Sequence, residues 1–408
     1  MLSSLFGHDR SNLIFLFIAL IVLFLPNLEA PKNIFFLGLL LIWTQFSFKS
    51  GNFGGRWNHF DSIFLLFLIV NILVAFNAHF EHNQPIKGAN DIFRIIIFGW
   101  LISRIKFSKK AVEVIILINS LSILTLVTNF YTCPQLEGCM TLNSVGHVNH
   151  TAIYLLISFS LAIYLFIEKY EALSKSFKFL AFCYLIFLGF MIIATNSRAV
   201  SGVLVIIILT LFVYFSIKKD WKKTYLIGFM VFVSMMIGLI HPPKVINKFY
   251  EGSHLIGDSP RQRIRNFAYE IFKIDPILGT GMSNFPNFDL DDIKANVIRE
   301  KGSDWWHSNA SSTYAPYAHP HNIYYVYLTG GGVVFLVTML LFWFNIIKEV
   351  FKSFKEPSYK FTLPVIFILM INLIIGFVNT TFAHEHGMLT MLVLGIFISY
   401  RRYGNSRI

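Results

Sequence analysis

From residue 12 to residue 400 one pattern repeats: an apolar run of about 15–25 residues, a short polar cluster, then another apolar run. The runs fall near 12–30, 33–48, 62–78, 89–103, 111–129, 150–167, 179–195, 199–217, 224–240, 322–347, 361–378 and 388–400. Hydrocarbon offers the backbone no hydrogen-bond partner, so each run must close its bonds internally as helix. The pattern therefore predicts an all-α polytopic membrane protein with about twelve transmembrane helices. Charged residues make up 14% of the 408 residues, against about 25% in soluble domains.

The formal charge of +12 does not point to nucleic acid. Basic residues in such a chain mostly set orientation, and here they alternate between loops. One side receives Lys49 and Arg56, then Arg104, Lys106, Lys109 and Lys110, then Lys169, Lys175 and Lys178. The same side continues with Lys218, Lys219, Lys222 and Lys223, the group from Lys348 to Lys360, and Arg401, Arg402 and Arg407. The other side holds little beyond Lys32, Lys87 and Arg198. This asymmetry places both termini in the cytoplasm and the longest loop outside. Arg10 followed by Leu13–Leu25 and Leu28-Glu29-Ala30 resembles a signal peptide, but Pro31 would block cleavage there. The segment reads as the core of a retained first helix.

Three parts follow: residues 1–240 with helices one to nine, the large outward loop 241–321, and residues 322–408 with helices ten to twelve and a cytoplasmic C-terminus. No internal repeat of the kind many transporters show is present.

The outward loop has structure of its own. Asp258-Ser259-Pro260 is a helix start, a capping side chain followed by proline in the first turn. Ile264, Phe267, Ala268, Ile271 and Phe272 recur at helical spacing, and Asp275-Pro276 ends the helix before the Gly279-Thr280-Gly281 turn. The spacing predicts an amphipathic helix lying on the bundle, with Arg261, Arg263 and Arg265 beside its apolar stripe. Such arginines either snorkel to lipid phosphates or hold a phosphate group with the rigid guanidinium fork. Arg198, after Thr195-Asn196-Ser197 at the outward end of the seventh helix, is either an interfacial anchor or an anion ligand. Ala318-His319-Pro320-His321-Asn322 closes the loop at the mouth of the tenth helix, where a histidine serves either as a cap or as a base. His147, His150, His384 and His386 share the outward side, as interfacial residues or as lining for the same cavity.

Cys133 and Cys139 bracket a short outward loop and form a disulfide candidate in an oxidising compartment, whereas Cys183 lies within a helix as packing. Asp289, Asp291 and Asp292 cluster near a helix start, where dipole effects account for them better than a bound cation does. Trp305, Trp306, Tyr314 and Tyr317 suit a membrane-interface belt or a sugar-stacking platform.

These residues resemble the O-antigen ligase family. His321-Asn322, nine residues, then Gly332 is similar to that family's signature, although Phe335 stands where a small residue or Tyr is usual. Arg263, followed by Phe267 in place of the usual Trp and then Pro276-Ile277-Leu278-Gly279-Thr280-Gly281 and Phe285, resembles the family's loop pattern. With Trp absent, Arg261 or Arg265 can be the counterpart instead. Asn196-Ser197-Arg198 resembles the Ser-Arg at the end of a mid-chain helix.

The resemblance implies a GT-C-like glycosyltransferase taking a glycan from undecaprenyl diphosphate and passing it to a hydroxyl of lipid A–core oligosaccharide, in lipopolysaccharide biosynthesis at the inner membrane. It implies His321 as general base, with Asn322 and His319 in support. Arg198 and Arg263 (or Arg261 and Arg265) would hold the donor diphosphate, while His147, His150 and His384 would stand on the acceptor side. Direct displacement would invert the anomeric centre and needs no cofactor or metal if arginines neutralise the diphosphate. An O-antigen polymerase acting on the same donor is the nearest rival. A polytopic transporter is the rival from another class, and charge-poor helix centres argue against it.

Overall fold

The computed structural model describes residues 9–82, 87–127, 141–240, 260–282, 290–311, 320–354 and 361–403, and every regular element among them is helical. The Cys133–Cys139 pair lies outside the described residues. So do His319, Asp258, Ser259, Phe285, Asp289, Tyr314 and Tyr317, and the side chains of Asp291 and Asp292.

Each apolar run meets a helix. In chain order these are α1 (Asp9–Phe24), α2 (Glu29–Ser50), α3 (His59–His82), α4 (Lys87–Ser103), α5 (Lys109–Ser122), α6 (Val148–Lys169), α7 (Lys175–Ala194), α8 (Arg198–Ile217) and α9 (Trp221–Ile240). The loop segment supplies α10 (Pro260–Ile274), α11 (Leu290–Lys301) and the single turn α12 (Ser303–Trp306). The chain continues with α13 (Ile323–Ser353), α14 (Thr362–Gly376) and α15 (His384–Tyr403). Among the described residues five helices are long and apolar enough to cross a membrane: α3, α6 (counted with its short extension to Ala172), α7, α8 and α13. The chain is a multi-pass membrane protein.

Local sequence sets several helix boundaries. Ser108 Oγ accepts from Ala111 N (3.1 Å) and Ser174 Oγ from Phe177 N (3.4 Å), each supplying an orphan donor of the first turn. Gly51, at φ 64°, stops α2 in the left-handed conformation that glycine adopts without penalty.

The centre is built by α6 and α15, which bury most of their surface. α6 carries buried residues without a break from His150 to Tyr164, so an all-round apolar helix has become the middle of the bundle. α5, α7, α14 and α15 pack around it. α15 lies against α4 through small residues. A Cβ added at Gly395 would stand 2.7 Å from Ile102, and one at Gly99 would stand 2.8 Å from the Met391 sulfur. Such close approach lets dispersion act where no hydrophobic force exists between helices.

Polar clusters pin both ends of α15. At its start Lys32, fully buried, meets Glu385 in an ion pair, and its Nζ also donates to Ser144 Oγ (2.6 Å). Lys32 looked like a loop residue in sequence. The fold instead turns it inward, joining α2, α15 and the segment before α6. At the far end Asp61, also fully buried, receives Trp100 Nε1 (3.0 Å), Arg104 Nε (2.9 Å) and both Arg402 contacts (2.8 Å).

Lys32→Met should therefore lower thermal stability in detergent by about 3–5 kcal/mol, because Glu385 is left as an unpaired buried charge. The double variant Lys32→Met with Glu385→Leu should recover most of the loss. A double variant no more stable than the single one would count against the pair as the cause.

Candidate functional site

The site is assembled where α13 begins. Asn322 has extended backbone and caps the helix: its Oδ1 accepts from Tyr324 N (2.9 Å) and Tyr325 N (3.2 Å), and its Nδ2 donates to Phe377 O (3.0 Å). One side chain thus starts α13 and ties it to the end of α14. His321, just before it, holds φ 52°, a conformation uncommon for residues other than glycine. The cap and the left-handed turn fix the direction in which the imidazole leaves the backbone.

His321 is half-buried, and its pKa is pushed down to about 4. Burial is the largest cause, since it disfavours the imidazolium; the Arg261 guanidinium and then His147 add to it. The same interactions show that Arg261, on the first turn of α10, and His147, the N-cap of α6, act on His321 at this mouth. His147 Nδ1 accepts from Asn149 N (3.1 Å), which fixes its tautomer and leaves Nε2 as the outer nitrogen.

Further histidines continue from there. Ring centroids of His147 and His150 lie 5.7 Å apart, His150 and His384 5.3 Å, and His150 and His386 5.0 Å. His150 and His386 are buried, whereas His147 and His384 are exposed. His386 Nε2 lies 3.1 Å from Thr380 O. Among the described residues no group of three His, Cys, Asp or Glu has the arrangement to hold a metal ion.

The arginine helix α10 is amphipathic as its spacing predicted. Ile264, Phe267, Ala268 and Ile271 are buried in a small second core with Ile293, Val297 and Trp306. Trp306 is thus a core residue and neither belt nor platform. Trp305 is half-buried under Lys301, whose Nζ stands 4.4 Å from the ring centroid. Arg261 is exposed, Arg263 is half-buried, and Arg265 donates to Gln262 Oε1 (2.8 Å). Arg198 is exposed as the first residue of α8, which packs on α14.

The arginine helix is locked to the histidine helix by a feature that sequence reading missed. α13 is broken at Gly332 (φ 63°, ψ −169°). The stretch after α10 docks its backbone into that break: Thr280 N donates to Thr329 O (2.8 Å), Gly281 N to Gly330 O (2.9 Å), Val333 N to Pro276 O (2.9 Å) and Val334 N to Ile277 O (3.3 Å). A Cβ at Gly332 would lie 2.1 Å from Ile277 O, and one at Gly279 would lie 2.5 Å from Gly331 N. The two motif segments resembling the ligase family are thus one interlocked unit. Asp275 fastens it to α3, accepting from Asn77 Nδ2 and from Leu278 N (3.1 Å), with His82 Nε2 at 3.3 Å. Burial raises the Asp275 pKa, but these donors outweigh it and hold the carboxyl below its ordinary value. The available signal was the triplet Gly330-Gly331-Gly332 inside an apolar helix, where one glycine marks a close backbone approach. Phe335, the departure from the usual signature, is buried against Phe67 and Tyr327.

The family described as O-Antigen ligase matches residues 183–342. The chain carries an O-antigen ligase family domain. It contains Arg198, the α10 arginines, His321, Asn322 and the Gly332 interlock, whereas Lys32 and the histidines of α6 and α15 come from outside it. A comparison with curated proteins found no match. The match, which covers residues 183–342, implies a glycosyltransferase-like ligase or polymerase role.

Gly332→Ala should cost about 2–4 kcal/mol, from a positive φ and the displaced docking strand. It should also make the 276–281 stretch sensitive to limited proteolysis. Gly202→Ala is the control, since nothing lies within 4 Å of its added Cβ. Equal behaviour of the two variants would refute the interlock.

Proposed function

We propose that the protein is an O-antigen ligase that moves a glycan from undecaprenyl diphosphate to a hydroxyl of lipid A–core, at the periplasmic face of the inner membrane. In this reading the bundle has about twelve spans and both termini lie in the cytoplasm, as the basic-residue asymmetry suggests. The observation that carries it is the interlock, within the ligase-family domain, of the arginine helix α10 with α13, at whose mouth burial holds the His321 imidazole neutral.

The chemistry runs as follows. Bond breaking between the anomeric carbon and the donor phosphate places growing negative charge on the diphosphate. A preorganised guanidinium stabilises that charge as it develops. Arg261 is the leading candidate, because it is the loop arginine whose charge is felt at His321, with Arg198, Arg263 and Arg265 as further donors. The acceptor hydroxyl attacks the anomeric carbon from the opposite face and loses its proton to His321, which inverts the centre. The bond from the anomeric carbon to the phosphate oxygen breaks with its electron pair leaving on undecaprenyl diphosphate, as the new glycosidic bond to the acceptor oxygen forms.

The depressed pKa of His321 gives this scheme a sequence. In the free protein, burial and Arg261 keep the imidazole neutral and weakly basic. A bound diphosphate screens Arg261 and adds negative charge nearby, so His321 gains basicity when the donor is in place. The base becomes effective when there is something to transfer.

The sign of the pH dependence follows. The base form of His321 is present above its pKa and is lost as pH falls through it. The acid limb of kcat/KM, which reports the free enzyme, should therefore lie near pH 4 and not near 6.5. The limb of kcat should lie at higher pH. Arg261→Ala should move the kcat/KM limb upward while lowering activity. His321→Ala should reduce kcat/KM by about 10²–10⁴ with expression and membrane insertion intact. Wild-type rates in His321→Ala, assayed with purified lipid-linked donor and lipid A–core, would remove it as the base.

Deletion of the gene separates ligase from polymerase. A ligase deletion leaves polymerised glycan on the lipid carrier, whereas single repeat units on lipid A–core would assign the protein as a polymerase and overturn the reading.

A further inference from the structure

A second candidate site lies at the opposite end of the bundle. α15 runs from the histidine cluster at His384 to Tyr403, a helix of 20 residues, which spans about 30 Å. At its far end, between the ends of α1 and α2 and the turn after α4, is a cavity of about 280 Å³. Phe15, Trp43 and Phe107 form apolar walls, while Ser50, Asn52 and Lys106 supply polar atoms. Among the described residues no carboxylate lines it.

The electrostatics beside it are unbalanced. Arg104 lines the cavity, and both Arg104 and Arg402 pair with the single carboxylate of Asp61. The two guanidinium side chains are each 4% exposed. Other donors go to neutral carbonyls: Arg104 Nη1 to Phe53 O (2.7 Å) and Gly55 O (3.1 Å), Arg402 to Ser103 O (3.2 Å) and Arg56 O (2.6 Å), while Arg104 Nη2 makes no hydrogen bond. Among the described residues no second carboxylate pairs with either. One positive charge is thus held out of water without a counter-charge, an arrangement that is costly unless an anion compensates it. Lys106 is exposed at the same cavity and forms no ion pair among the described residues, so a second cation stands there with its donors available. Asn52 commits its Oδ1 to Gly54 N (3.0 Å) and Gly55 N (3.2 Å), which leaves its NH2 group as a donor.

We propose that this cavity binds the phosphate headgroup of an anionic membrane phospholipid, with an acyl chain along Phe15, Trp43 and Phe107. Apolar walls beside an uncompensated cation at a helix-bundle end select a lipid that has both parts, and a soluble anion would leave those walls wet. Lys106 and Asn52 contact the phosphate, and the Arg104–Arg402 pair contributes through its field. The site is separate from the His321 mouth, so the proposal stands whatever glycan that mouth transfers.

The test uses the full-length protein purified in neutral detergent, incubated with phosphatidylglycerol, with phosphatidylcholine of the same chains, or with inorganic phosphate, and read by native mass spectrometry and thermal shift. Wild type should retain phosphatidylglycerol about fivefold over phosphatidylcholine. Lys106→Glu should abolish the preference. Asn52→Asp, which keeps an oxygen for the Gly54 and Gly55 amides while adding negative charge, should weaken it without unfolding the turn. Equal retention of the two lipids, or a preference unchanged in Lys106→Glu, would overturn the proposal. Displacement of phosphatidylglycerol by an equal concentration of inorganic phosphate would reassign the cavity as a soluble-anion site and overturn the lipid assignment.

Discussion

The geometry of the His321 end depends on one backbone interaction, the docking of residues 276–281 into the break of α13 at Gly332. A broken helix in apolar surroundings has carbonyls and amides with no partner, and each would cost free energy comparable to a lost hydrogen bond. Here the chain's own loop supplies the partners: carbonyls of Pro276 and Ile277 on one side of the break, amides of Thr280 and Gly281 on the other. The exchange needs backbones in contact, so both strands are glycine-rich at the crossing. The break in α13 is therefore the device that holds the loop, and the loop in turn satisfies the break.

That docking turns two flexible attachments into a frame. Arg261 sits at the start of α10 and His321 just before α13. The far end of α10 is fixed by Asp275 to Asn77 and His82 on α3, and the middle of α13 is fixed by the Gly332 crossing. The near end of α13 is fixed by the Asn322 cap and its bond to Phe377. With three corners held, the distance between a cation and an imidazole becomes a property of the fold. An electrostatic effect such as the depression of the His321 pKa needs that constancy, since coupling between charges falls with distance and with access to water.

Much of this was legible in the sequence, for different reasons at different places. The helices could be read because the membrane leaves the backbone no alternative, and the amphipathic stripe of α10 because one helical face must be buried. The cap of α13 was read one residue early, at His321, whereas the side chain that holds the helix start is that of Asn322. The contacts that organise the site could not be read, because they join residues far apart in the chain. Lys32 meets Glu385 across the whole molecule, and nothing local separates a buried lysine from a loop lysine. Asn77 and His82 look like polar ends of a helix until Asp275 arrives. Among the loop arginines, sequence alignment with a motif favoured Arg263, while the fold puts the charge of Arg261 on His321.

The two ends of α15 show how the same constraint is met with opposite results. At the His384 end buried Lys32 pairs with buried Glu385, with the exposed Glu29 carboxylate 3.9 Å from the same Nζ, so the buried charges cancel there. At the Tyr403 end Asp61 serves two arginines, and the interior carries a surplus. Replacing either arginine would balance the charge, yet each also bonds backbone carbonyls of the turns that close this end. The surplus is thus tied to structure at the basic face of the bundle, where an anionic surface is the natural counter-charge.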